Sequence, residues 1–197
     1  VLVAGFAAGP LRANCYLLAP SAGGECVVVD PGEEVGEPLT AALAEHALVP
    51  VALLATHGHP DHIGSAAALA RAHDVPLHLH PADADWHDGP FEALTEGTLT
   101  VAGLDVTVLG VPGHTPGSVA FTVTAGEGGR LVLTGDTLFA GSIGRSGDRG
   151  AGAELERSLR TKLLTLADDT VVLPGHGPAT TIGRERAGNP FLPGAGV

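Results

Sequence analysis

Apolar residues recur in two rhythms along this chain. Short runs at Val1–Phe6, Asn14–Ala19 and Cys26–Asp30 predict three strands, with Ser21–Gly24 as a hairpin turn. Val51–Ala55, bounded by Pro50 and Gly58, and Val75–His80 predict two more. Thr98–Ala102 and Leu104–Leu109 predict a hairpin around Gly103, and Val119–Ala125 and Arg130–Thr134 another around Gly126–Gly129. Thr170–Leu173 is the last clear strand. The helical rhythm is fainter. Leu39, Leu43 and Ala47 predict a helix over Glu37–Ala47, and the alanine-rich stretch predicts one over Ile63–His73. Leu155, Leu159, Leu163 and Leu166 share one face of a third, Glu154–Leu166. From Pro174 the Gly/Pro-rich chain predicts an irregular segment wrapping a surface. No linker interrupts the series. Strands with interspersed helices imply sheets covered by helices in one α/β or α+β domain spanning residues 1–197.

Composition narrows the function classes. A length of 197 residues, 44% hydrophobic, suffices for a substantial core. No apolar run reaches the length of a membrane span, and the opening VLVAGF lacks the basic flank of a signal peptide. A net charge of −12 argues against nucleic acid or an anionic membrane as partner. Cys15 and Cys26 sit in apolar runs without metal or redox spacing, so a reduced, buried pair in a cytoplasmic protein is expected. Lys162 is the only lysine and is expected on a solvated helix surface. A monomer or small homo-oligomer is expected.

One stretch departs from this ordinary picture. THGHPDHIG, Thr56–Gly64, places His57, His59, Asp61 and His62 within six positions, directly after a predicted strand. In an extended loop His57 and His59 share a face. A single cation rarely takes four ligands from so short a segment, so two cations sharing them is the natural solution. His114 in VPGHTPGS, Asp136 in LTGDTLF and His176 in LPGHGPA each follow a predicted strand and have Gly or Pro beside them. Five imidazoles and two carboxylates suit zinc first, then iron or manganese. The isolated residues His46, His73, His78, His80 and His87 are expected to be ordinary solvated or hydrogen-bonded histidines.

THGHPDHIG, PGHTPGS, TGDTLF and LPGHGPATTI, in this order, resemble the metallo-β-lactamase-fold superfamily over almost the whole chain. FAGSIGRSGD, ERAGNPFL and VVVDPG resemble its glyoxalase II-like hydrolases. The resemblance implies an α+β, four-layer αββα sandwich with metals at one edge. It assigns His57, His59 and His114 to a first metal and Asp61, His62 and His176 to a second, with Asp136 bridging. Asp30 would support a ligand from behind. Asp61 and Asp136 would be the catalytic carboxylates. Glyoxalase II proper carries a helical C-terminal domain for glutathione, whereas about twenty residues follow His176 here. The family's GRTD loop reads Gly144-Arg145-Ser146-Gly147-Asp148. Arg145 keeps its place, as a loop arginine paired with a carboxylate or as a substrate contact.

Seven such ligands carry about two negative charges against two divalent cations, so the site stays net positive and favours a metal-bound hydroxide at neutral pH. No spare His or Glu lies in these motifs to protonate an amine leaving group. A thiolate leaves almost unaided, its thiol having a pKa of about 8.5. The site chemistry thus fits thioesters, and the resemblance to glyoxalase II-like hydrolases implies small 2-hydroxyacyl thioesters as substrates. Alternatives are a persulfide dioxygenase-like oxygenase with one iron, a β-lactamase, which usually carries Cys at the place of Asp136, and a non-enzymatic metal-binding module.

Overall fold

The computed structural model describes residues 1–124, 126–147 and 149–192. Strands β1 (Leu2–Ala8), β2 (Ala13–Ala19), β3 (Glu25–Val29), β4 (Val49–Leu54), β5 (Leu77–Leu79) and β6 (Glu92–Ala93) form one sheet in chain order. Its first three strands pair antiparallel and its last four parallel. The second sheet contains β7 (Gly97–Val101), β8 (Leu104–Gly110), β9 (Val119–Thr124), β10 (Arg130–Gly135), β13 (Val171–Pro174) and β14 (Thr180–Thr181). Its order is β14-β13-β10-β9-β8-β7, with only the β10–β13 pair parallel. A small hairpin, β11 (Leu138–Phe139) and β12 (Ser142–Ile143), lies between β10 and the helical segment.

Period-two alternation sorts the strand side chains into layers. Leu18, Val27, Val29 and Leu54 of the first sheet face Val106, Val108, Phe121 and Leu133 of the second in the central core. Their neighbours Leu17, Cys26, Val28 and Leu53 turn outward onto helices α1 (Gly36–His46) and α3 (Ala66–His73). On the far side, Ala120, Val132 and Val172 pack against Leu155, Leu159 and Leu163 of the helical segment that begins as α4 (Arg149–Ser158). Three apolar layers between four structural layers make the αββα sandwich. Cys15 and Cys26 are both buried and unbridged.

Differences from the sequence expectation have local causes. The helix predicted over Ile63–His73 is split into a short α2 (Pro60–Ile63) and α3. The break comes where the Ser65 N–H turns to the carbonyls of Pro31 and Gly32, each at 3.1 Å. The third helix begins at Arg149 and widens into a π turn over Leu159–Leu163, while Leu159 and Leu163 stay buried. Lys162 is not simply solvated: its Nζ meets Glu96 Oε1 at 2.6 Å. The strand predicted over Val75–His80 shrinks to Leu77–Leu79. The segment after Pro174 is not irregular. It forms β14 and α5 (Ile182–Gly188), with Thr181 accepting from the Arg184 N–H at the helix start. Buried Glu185 then accepts from Gly141 N, Thr180 Oγ1 and Asn189 Nδ2, tying α5 to the β11–β12 hairpin. The ends of the expected strand at Ala125 and the loop residue Asp148 lie outside the described residues.

Among the described residues no helix is long and apolar enough to cross a membrane.

Candidate metal centre

The C-terminal ends of β3, β4, β8, β10 and β13 reach one edge of the sandwich. Asp30 follows β3. His57, His59, Asp61 and His62 follow β4. His114 lies in the loop after β8, Asp136 follows β10 and His176 follows β13. At this edge the Val119 N–H donates to the Thr56 carbonyl at 2.8 Å, joining the two sheets. The β13 loop is pinned to β2: Asn14 Nδ2 donates to the carbonyls of Pro174 and Gly177, and the Tyr16 hydroxyl donates to Pro174.

The side chains converge in two groups. His59 Nδ1 lies 3.1 Å from His57 Nε2 and 3.0 Å from His114 Nε2. Three nitrogens around a tetrahedral cation with bonds of 2.0–2.1 Å would be about 3.3–3.4 Å apart, so this trio is close to ligand spacing. In the second group His176 Nε2 is 3.1 Å, and His62 Nε2 3.6 Å, from Asp61 Oδ2. Asp136 stands between them. Its Oδ2 is 3.6 Å from both His114 Nε2 and His176 Nε2, and its Oδ1 is 3.3 Å from His62 Nε2. All seven residues proposed from sequence as ligands thus meet at one point. Gly175 makes this packing possible, because a Cβ there would overlap Asp136 Oδ1 and His62 Cε1.

Four of the five imidazoles point Nε2 at the centre, and each has its Nδ1 held from behind. His62 Nδ1–H donates to Asp30 Oδ2 at 2.9 Å, and Thr56 Oγ1–H donates to the same oxygen at 2.7 Å. With its own proton so used, Thr56 Oγ1 accepts from His57 Nδ1 at 3.1 Å. His114 Nδ1 donates to the Arg145 carbonyl and His176 Nδ1 to the Leu11 carbonyl. Such partners fix the tautomer and leave the Nε2 lone pair free for a metal. Asp30 also accepts from the Thr56 N–H, and its backbone takes a left-handed φ of 53° to do so. The structure thus places Asp30 behind His62, and Arg145 contributes its backbone carbonyl while its side chain is exposed.

At this centre two buried polar atoms, His62 Nε2 and Asp136 Oδ1, have no hydrogen-bond partner among the described residues. Both face the centre of the cluster. Buried atoms of this kind normally find a partner, and a cation supplies one for both. The donor set therefore fits divalent metal.

Electrostatics separate the two groups in the metal-free protein. Burial, and then the nearby imidazoles, lower the pKa of His57 and His59, which favours their neutral, ligand-ready forms. His62 behaves oppositely. Burial opposes its charge, but the Asp30 carboxylate, hydrogen-bonded to Nδ1, and the charge of the Asp136 carboxylate push it up to about 10. The hydrogen bond to Asp61 raises His176. Burial works against the ionised forms of Asp61 and Asp136, yet the hydrogen bond from His176 to Asp61 and the imidazolium charge of His62 beside Asp136 hold both below the usual carboxylate range.

A further residue, invisible as a site residue in the sequence, is buried Asp83 in the 3-10 turn Pro81–Trp86. It sits in PADADW without motif spacing, and only the fold brings it beneath the His57 and His114 loops. The same turn sets Trp86 against His59, their rings perpendicular with centroids 4.9 Å apart.

Fold and site together define an αββα sandwich with a metal-binding His/Asp cluster at its edge. The chain belongs to the metallo-beta-lactamase superfamily, whose family model matches residues 8–176. An uncharacterized protein of Mycobacterium leprae is 44% identical over 98% of this chain and 100% of its own length. The probable metallo-hydrolase YqgX of Bacillus subtilis is 37% identical, covering 94% of this chain and 95% of that protein. Hydroxyacylglutathione hydrolase GloC of Haemophilus influenzae is also 37% identical, over 84% of this chain and 86% of GloC. Among solved structures, the BLEG-1 B3 metallo-beta-lactamase superposes with TM-score 0.89 at 34% identity, covering 98% of this chain and 100% of that one. TTHA1623, in a di-iron-bound form, gives TM-score 0.83 at 40% identity over 96% and 100%. ETHE1 from Myxococcus xanthus gives 0.86 at 27% identity over 98% and 85%.

Proposed function

We propose that this protein is a dinuclear metal hydrolase of the glyoxalase II-like kind, cleaving small 2-hydroxyacyl thioesters. The observation that carries the proposal is the meeting of two ligand groups around one carboxylate, with Asp136 Oδ2 at 3.6 Å from an imidazole of each. His57, His59 and His114 would hold one metal and Asp61, His62 and His176 the other, with Asp136 between the two groups. The likeness to GloC supports the substrate class, and the di-iron form of TTHA1623 supports a two-metal site. Zinc is the first choice for a nitrogen/oxygen set of this kind, with iron and manganese compatible.

Metal ions at such a site polarise the scissile carbonyl and bring the pKa of water to about 7. The protein's own groups do the rest. Asp30 and Thr56 hold His62 and His57 in one tautomer. The Asp61 and Asp136 carboxylates, ionised well below neutrality, accept hydrogen bonds and orient the attacking water. A thiolate needs no proton to depart, which agrees with the lack of a free acid among the clustered residues. Arg145, exposed beside the His114 loop, would meet an anionic part of the substrate.

A second reading, a mononuclear iron oxygenase, has the likeness to ETHE1 in its favour. One experiment separates them. Metal-loaded protein is given lactoyl thioesters under anaerobic conditions and, separately, a low-molecular-weight persulfide in an oxygen electrode, with a β-lactam as a further arm because of the likeness to BLEG-1. Thioester cleavage without oxygen uptake is expected. Stoichiometric oxygen consumption, or β-lactam turnover exceeding thioester turnover, would displace the proposal.

A further inference from the structure

We propose that Asp83 is the positioning residue of the three-histidine group, setting the distance between the loop that carries His57 and His59 and the loop that carries His114. The inference rests on the two-metal reading of the site for its consequence, and on geometry alone for its cause.

Asp83 is fully buried, and both its oxygens act as acceptors. Oδ2 receives the Gly58 N–H at 2.8 Å and the Thr115 hydroxyl at 2.7 Å; Oδ1 receives the Gly117 N–H at 2.8 Å. Gly58 lies between His57 and His59. Thr115 is the neighbour of His114, and Gly117 follows two residues later. One carboxylate therefore ties together two loops, one from each sheet, at the residues adjoining the ligands. The approach is close. A Cβ on Gly117 would come within 2.6 Å of Asp83 Cγ, and one on Gly58 within 3.0 Å of Asp83 Cβ. Ser118 Oγ reinforces the link by accepting from the Thr115 N–H at 3.0 Å. No hydrogen bond of Asp83 reaches the loops of Asp61–His62, Asp136 or His176 among the described residues.

A carboxylate is required because the three donors use both oxygens. In Asp83→Asn one acceptor becomes an amide NH2 that must face a donor, either Gly117 N–H or the Gly58/Thr115 pair. The His59–His114 separation, 3.0 Å across the group, then loses its brace. The Asp61–His62–His176 group keeps its own supports from Asp30 and Leu11.

The test compares wild type, Asp83→Asn, Thr115→Val and the reference His59→Ala. Cobalt titration followed by its visible absorption, with zinc content by elemental analysis, reads the two groups in each protein. Asp83→Asn should keep one equivalent near wild-type affinity and weaken the other roughly 10–100-fold, the same equivalent that His59→Ala removes. Thr115→Val, which deletes one of the three hydrogen bonds, should shift the same equivalent less, and it decides the matter if Asp83→Asn fails to fold. In the metal-free proteins, the ring resonances of His59 and His114 should move while those of His62 and His176 stay. Wild-type protein that takes no metal would sink the two-metal reading, and the ring resonances would then judge Asp83 alone. Unmoved His59 and His114 resonances, two unchanged metal affinities, or equal weakening of both equivalents would each overturn the role given to Asp83.

Discussion

Replacing Asp30 by Asn separates charge from shape at the support behind His62. The wild-type carboxylate, 2% exposed, accepts from Thr56 N–H and Thr56 Oγ1 at 2.7 Å each and from His62 Nδ1 at 2.9 Å. An amide offers one acceptor oxygen, so at least one of the three buried donors faces an NH2 group. A buried donor left unmatched costs about 1–3 kcal/mol, and that is the expected loss of folding stability in the metal-free variant. Loss of a support of this kind typically weakens metal binding about 10–100-fold, equivalent to roughly 1.4–2.7 kcal/mol. The pH dependence gives a sharper reading. Burial lowers the pKa of His62, and the Asp30 charge, the hydrogen bond that His62 donates to Asp30 and the Asp136 charge outweigh it, raising it to about 10. A raised folded-state pKa contributes stability that is complete below the unfolded value of about 6.5 and fades as pH rises through about 10. Without the Asp30 charge that fade should still begin at about 6.5 but end at a lower pH and be smaller. Urea melts of chelator-treated protein at pH 6, 8 and 10 measure it, and competition with a chromophoric chelator measures the metal. Equal pH slopes in the two proteins, with unchanged metal affinity, would refute the assignment of Asp30 as the group that holds the His62 proton.

Asp136→Ala should lower bound metal from two equivalents toward one and nearly abolish hydrolysis; X-ray absorption of the wild type should give a metal–metal distance of about 3.5–4 Å, and a fully loaded protein with one metal ignoring His62 and His176 would count against the bridge. Gly175→Ala should fold but lose affinity at the Asp61–His62–His176 group, because its Cβ takes the place of Asp136 Oδ1; elemental analysis after dialysis would show it. Trp86→Ala should leave metal content unchanged and raise KM more than it lowers kcat, since the indole, 51% exposed, lies beside His59 without being buried in the core; an unaltered KM across a thioester panel removes Trp86 from the substrate surface.

Much of this architecture is legible in the residues. The strands carry short apolar runs whose alternation decides which core each side chain enters, as with Val27 and Val29 against Val28. The ligand set is legible because metal chemistry limits residue types and because each ligand follows a strand end. What escapes lies in contacts between segments distant in the chain. Asp83 reads as one acid in a short polar run, and its function depends on donors 25–34 residues away. The tail after Pro174 reads as irregular because Gly and Pro dominate its start, yet Thr181 begins a helix and Glu185 anchors it from a buried position. The break between α2 and α3 escapes for the same reason: the alanine-rich pattern runs on, while Ser65 turns its amide to the loop after β3.

The unpartnered Nε2 of His62 and Oδ1 of Asp136 also bear on how long a copy of this protein survives in a cell. A chain that folds without its ions leaves these two atoms facing each other across 3.3 Å, without the cation that would hold both. A chain that captures ions is stabilised by the whole free energy of capture. Because changes of 1–2 kcal/mol alter abundance several-fold under proteolytic surveillance, empty copies should turn over faster than filled ones. Scarcity of the ion would then show first as fewer molecules rather than as a standing pool of idle ones, and the amount of this protein would follow the supply of metal without any dedicated sensor.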